Sequence, residues 1–211
     1  MLYALAHFLR DKCPWIWDLV ERLNSFLFYI RYGRKLKQLP EILEHYQDEY
    51  RIELIERKHL DGLTRFFQEQ PEEAFEFFKP HAFDRKTLGK LQKSKAFLSF
   101  VVQKEDTIVS YFFLRCYFLG KCFRGYMVDY RWRNKGISKL TAKVMTDVAT
   151  MLEIPSYGTI APENMASMKS QSAVNDIKII EQLANGDYYV EYCPKADYSC
   201  FLNGYLTDLC H

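Results

Sequence analysis

The chain has 211 residues, 48% of them hydrophobic and 27% charged, which suits one substantial globular domain with an appendage and excludes a disordered chain. Its formal net charge of +2 lacks the basic excess of a nucleic-acid binder, so no nucleic-acid partner is expected. The six cysteines form no CxxC pair and the five histidines supply no zinc spacing, so no metal site is expected and the thiols read as free in a reducing, cytoplasmic setting.

The apolar run 1–9 lacks a basic leader and a cleavage site, so a signal peptide is not expected. Pro14 can open a helix, because its missing N–H is not needed in the first turn. Ile16, Leu19, Val20, Leu23, Leu27 and Ile30 then recur at helical spacing, Trp15, Trp17, Phe26, Phe28 and Tyr29 widen the apolar face, and Gly33 can end the helix. Asp18, Glu21 and Arg22 interrupt the run too often for a membrane span. Residues 14–37, with Arg31, Arg34, Lys35 and Lys37 at their end, therefore suit either a face docked on the following domain or another subunit, or peripheral contact with an anionic membrane. The first is the commoner fate of such a face. Pro40 and the polar stretch to Tyr50 mark a boundary, giving an N-terminal helical extension at 1–50.

From Arg51 the pattern changes. Arg51–Glu56 alternates as a strand, Leu60–Gln70 reads as a helix with Leu63, Phe66 and Phe67 inward, and Thr87–Lys93 as a second helix. Ala96–Gln103, Thr107–Phe118 and Cys122–Tyr130 then form a meander, turned at Lys104-Glu105-Asp106 and Gly120-Lys121. The clearest helix runs from Ile137 through Leu140, Thr141, Val144, Met145, Val148 and Ala149 to Leu152, with Lys139, Lys143 and Asp147 on its opposite side. Pro155 stops it. Ser156–Ala161 is a strand, Asn164–Val174 a helix, and Lys178–Gln182 with Tyr188–Tyr192 a hairpin around Asn185-Gly186. The fold class is α/β with a mixed, mostly antiparallel central sheet flanked by helices. Phe201, Leu202, Tyr205 and Leu209 suggest that the C-terminal segment 196–211 is docked.

Chemistry concentrates at Val128–Ser138, where a strand meets the strongest helix. A turn here points backbone N–H groups into one concavity at the positive end of a helix dipole, which makes an anion site. Gly136 lets a phosphate approach closely, and Arg131, Arg133 and Lys135 add charge suited to a pyrophosphate.

This segment resembles the GNAT superfamily of N-acetyltransferases, whose coenzyme A loop reads Q/R-x-x-G-x-G/A. Arg133-Asn134-Lys135-Gly136-Ile137-Ser138 matches it with Ser in the last small position, and Tyr130 stands where Pro is common. The element order extends the resemblance over residues 51–195, which it marks as an acyl-CoA-binding domain. It implies that the pyrophosphate lies on the amides of Arg133, Asn134, Lys135, Gly136, Ile137 and Ser138. It places the pantetheine arm along Met127, Val128 and Asp129, with Asn164 and neighbouring Ser167 contacting it. The implied cosubstrate is acetyl-CoA, passing its acetyl group directly to an amine with no metal. The family's tyrosine acid is replaced by Gln171, which cannot protonate a thiolate. Ser170, Ser172 or Tyr189 is left for that role, or water.

Asp129, at the end of the coenzyme strand, is a candidate base, or else a turn carboxylate paired with Arg131 or Arg133. Glu163 is a further carboxylate nearby. His81, flanked by aromatics in the stretch that borders the acceptor pocket in this superfamily, is another candidate catalytic residue. The reading is acetyl transfer to a small-molecule primary amine, a metabolite or amino sugar. The alternative is a noncatalytic acyl-CoA-binding scaffold that acts through partners, motivated by Gln171 and the N-terminal helix.

Overall fold

A computed structural model of the chain describes residues 14–196. The expected docked C-terminal segment and the apolar residues 1–9 fall outside the described residues.

The strands β1 (Arg51–Leu54), β2 (Phe97–Lys104), β3 (Thr107–Tyr117), β4 (Lys121–Val128), β5 (Ser156–Ile160), β6 (Asn175–Gln182) and β7 (Tyr188–Pro194) form one sheet in the order β1-β2-β3-β4-β5-β7-β6. Every neighbouring pair is antiparallel except β4 with β5. This is the mixed, mostly antiparallel architecture read from the sequence, with the same element order. The ends shift by a few residues. β1 stops at Leu54 rather than Glu56, because Glu56 and His59 form a capping box around the next turn. The loop before β7 turns at Gly186, whose φ of +92° needs glycine.

β2 and β3 run through the middle of the molecule and are covered on both sides, which is why both read as nearly unbroken apolar runs. Phe100 and Phe112 stack at 4.7 Å on one face, Phe97 and Phe113 at 4.9 Å on the other. The second face is closed by helices α3 (Leu60–Gln68) and α4 (Arg85–Lys93), which bring Leu60, Leu63, Phe66, Phe67 and Leu88 onto Val101, Tyr111 and Met127.

The first face is closed by α5 (Ile137–Leu152) together with the N-terminal elements α1 (Pro14–Tyr32) and α2 (Leu39–His45). Phe28, Tyr32, Leu39, Ile42 and Leu43 share one core with Val144, Met145, Val148 and Leu152. This burial corrects one expectation. Asp147 is not on a solvent-facing side of α5: it is fully buried, and the Tyr46 hydroxyl donates to its Oδ2 at 2.6 Å. The cover is α2, distant in sequence and invisible to helical periodicity.

α1 is the second departure. It has the predicted start and ends just before Gly33, yet it docks mainly by its polar side. Asn24 donates to the Cys116 carbonyl at 3.0 Å and accepts from the Phe118 amide at 3.1 Å. Ser25 accepts from the Lys95 amide, Arg31 donates to the Phe118 carbonyl, and Asp18 and Glu21 pair with Lys90 and Arg115. Of its apolar residues only Phe28 and Tyr32 are buried, while Trp15 (71%), Leu23 (54%), Phe26 (62%) and Ile30 (65%) are exposed.

Candidate functional site

β4 and β5 pair only at Cys122–Ser156 and Phe123–Tyr157, and beyond that they diverge. The amides along β4 point alternately to its two neighbours. The Cys122 amide donates to Pro155 on the β5 side, and the Asp129 amide donates to Val109 on the β3 side. By parity the Tyr126 and Val128 amides face β5, where the partner strand has already left. Two backbone donors in the middle of a sheet are thus turned into a cleft.

That cleft has a volume of about 950 Å³. Met127, Val128 and Thr159 flank the split, while Arg133, Asn134 and Ser138 line the end towards α5. Asn134 (φ +62°) and Gly136 (φ +78°) reverse the chain there, and no side chain caps the helix that follows. The first amides of α5 and the positive end of its dipole are left for an anion. Apart from its immediate chain neighbours, no protein atom lies within 4 Å of where a Gly136 side chain would begin. Asn164 and Ser167, at the start of α6 (Met165–Ser172), line the facing wall with Glu163. Phe77, Phe78, Phe97, Phe113 and Tyr117 form an aromatic wall at the far side, beside Glu73 and Glu76.

Other residues singled out from the sequence lie elsewhere. Asp129 is fully buried and its carboxylate accepts from the Arg131 amide, the Arg131 guanidinium and Gln70 Nε2. Burial alone would push its carboxyl up, but those hydrogen bonds outweigh it and hold it below the usual carboxylate range. It is a turn carboxylate rather than a poised base. Arg131 is bound to Asp129 and Glu69, and Lys135 lies over the Trp132 ring, so of the three expected cations Arg133 lines the cleft. Ile137 is in the core, and its side chain faces away from the cleft.

His81 is not in the cleft lining. Its Nδ1–H donates to the Ala82 carbonyl at 2.8 Å, leaving Nε2 to accept from the Tyr111 hydroxyl at 2.9 Å. Burial pushes its pKa down, and the neutral ring packs among Phe83, Phe97 and Phe113. Tyr189 stacks on Phe123 and Tyr157, outside the lining residues. Asn164 caps α6, its Oδ1 accepting from the Ser167 amide at 3.0 Å, so its amide nitrogen is what it can offer a ligand. Ser170 turns towards β4, and Gln171 is buried with no partner for its Oε1.

Two wall residues escaped the sequence reading. Tyr126 projects from the split strand, and its hydroxyl lies 2.8 Å from Ser170 Oγ. Ser170 gives its own proton to the Ser167 carbonyl, so Tyr126 is the donor of that pair. Arg124 is buried at the narrow end of the split, over the Tyr192 ring at 3.5 Å and bonded to Thr146 Oγ1. Alternation along β4 could have put both on one face. Only the register shows that this face opens into a cleft.

No family model and no curated protein matches the sequence. Solved structures do match. The GNAT domain of S. lividans PAT superposes with a TM-score of 0.59 at 12% identity, covering 68% of this chain and 89% of that one. A ribosomal-protein-S5-alanine acetyltransferase from Vibrio fischeri gives 0.57 at 18% identity, covering 72% and 96%. The PaiA N-acetyltransferase of Thermoplasma acidophilum, solved with coenzyme A, gives 0.57 at 12%, covering 69% and 99%. The chain has the GNAT fold.

Proposed function

We propose that this chain transfers an acetyl group from acetyl-CoA to a primary amine, in a small metabolite or amino sugar. The observation that carries the reading is the row of unpaired donors along one cleft: the Tyr126 and Val128 amides of the split strand, followed by the uncapped amino end of α5. Residues of this kind fit a coenzyme A arm. Its pyrophosphate lies on the first amides of α5 with Arg133 beside it, and its pantetheine amides lie along β4 with the Asn164 amide nitrogen opposite. The Tyr126 amide is then a preorganised donor for the thioester carbonyl and for the oxyanion that forms on it.

The acceptor enters past the aromatic wall, where Glu73 and Glu76 attract an ammonium ion, which sheds a proton to solvent before it attacks. The neutral amine attacks the carbonyl carbon, the carbon–sulfur bond breaks, the Tyr126 hydroxyl protonates the thiolate, and the proton released by the acylated nitrogen passes through solvent to restore the phenol. This phenol stands beside the helix whose Gln171 replaces the family's tyrosine. Gln171 in place of that acid also favours a second reading, a module that binds acyl-CoA without turnover.

Calorimetric titration of acetyl-CoA and CoA into the wild type and Gly136→Glu separates these readings. A Cβ at Gly136 has open space around it, and a carboxylate added there beside the turn repels the phosphates, so binding falls by at least about tenfold or is lost, since one such factor needs only about 1.4 kcal/mol. Acetyl-CoA-dependent thiol release with a panel of amines follows. Tyr126→Phe lowers kcat roughly 100-fold, the low end for general acid catalysis, with KM for acetyl-CoA little changed. Binding without thiol release from any amine or peptide selects the second reading. Acetylation of peptides alone replaces the small-molecule acceptor. No binding by the wild type overturns both readings.

A further inference from the structure

α1 is amphipathic with its sides reversed. Its polar residues Asp18, Glu21, Asn24 and Ser25 hold it to Lys90, Arg115 and the backbone of β3 and its neighbours. Trp15, Leu19, Leu23, Phe26 and Ile30 form a stripe along the outside, broadened by Val20 and Tyr29. Leu119, 71% exposed in the turn after β3, adds to the apolar surface of the segment where Phe118 meets Asn24 and Arg31. A contiguous outward face of this kind is rare on a domain that works alone in water.

Charge decides what covers it. From residue 15 to residue 38 the exposed charged residues with no ion pair to an acid are Arg22, Arg31, Arg34 and Lys37, while both acids, Asp18 (side chain 40% exposed) and Glu21, are already paired with Lys90 and Arg115. A second copy meeting this face about a two-fold axis would set the same cations against each other, while Asp18 and Glu21 are already neutralised by Lys90 and Arg115. A bilayer rich in anionic lipid meets both demands: acyl chains take the stripe, headgroups take the flanking cations, and Trp15 and Tyr29 suit the boundary between them. No helix of the described residues is long and apolar enough to cross a membrane, so α1 would lie in the surface.

We propose that the outward face of α1, built on Trp15, Leu19, Leu23, Phe26 and Ile30 and rimmed by Arg22, Arg34 and Lys37, binds an anionic lipid surface. This goes beyond the acetyl-transfer reading and does not rest on it. The test is flotation of the full-length protein with vesicles of phosphatidylcholine alone or mixed with phosphatidylserine. Wild type floats with the mixed vesicles and does not float with the neutral ones, and added salt weakens the association. Leu23→Glu/Phe26→Glu and, separately, Arg22→Gln/Arg34→Gln/Lys37→Gln each lower the floated fraction at least about tenfold, with the circular dichroism and melting curve of the wild type retained. The second variant leaves every apolar residue in place, so it keeps the test open should the first fail to fold. Wild type that stays unfloated with mixed vesicles overturns the proposal. So does flotation unaffected by both variants, and so does a wild-type dimer that Leu23→Glu/Phe26→Glu dissociates while no vesicle binding is seen.

Discussion

α5 and α1 are the two longest helices among the described residues, and both carry an apolar stripe at helical spacing. α5 buries its stripe and most of the opposite side as well, between the sheet, α2 and α6. α1 turns its stripe out and holds the domain with amides, a serine and two ion pairs. Burial of apolar area fixes α5 in place, with a magnitude set by transfer and packing. α1 is placed by directional bonds, each modest in net effect but specific in geometry. Periodicity reports that a helix has two sides; what each side meets depends on the partner.

The comparison is broken or sharpened by truncating each helix where its hold lies. Met145→Ala removes a fully buried side chain of α5 and costs about 2–5 kcal/mol, read from the midpoint of a urea titration with unchanged slope. Asn24→Ala on α1 removes both bonds to the β3 end and leaves the Phe118 amide without its acceptor, a loss of about 1–2 kcal/mol in the same titration. Leu23→Ser, on the outward stripe, changes stability by no more than about 0.5 kcal/mol. A Leu23→Ser loss as large as that of Met145→Ala would mean the stripe is covered by the chain itself, and the contrast between the helices would collapse.

The element order was legible because strands of period two, helices of period 3.6 and Gly-bearing turns each leave a local trace. The 133–138 turn was legible for the same reason: Arg133 to Ser138 is one short segment with a positive-φ glycine. What stayed hidden is what distant residues supply. Asp129 could be read as a base or as a partner of Arg131, but its further partner Gln70 lies 59 positions away, and Asp147 read as lying opposite the apolar stripe because its partner Tyr46 lies 101 positions away. His81 looked available until Tyr111 was found across the sheet on its Nε2. Tyr126 was passed over because a strand residue gains its meaning from register, and the register changes where β4 and β5 part.

That parting gives β4 a mixed character. Tyr126 and Val128 sit in the fourth strand of seven, yet their amides on the β5 side are those of an edge strand. Edges invite pairing. In the free protein, hydrogen exchange at these two amides would run fast beside the protected Cys122 and Asp129 of the same segment, whose amides hold backbone partners. A ligand with carbonyls spaced along an extended arm would close the gap as an added strand does. The binding energy would then come as much from finishing the sheet as from any side chain.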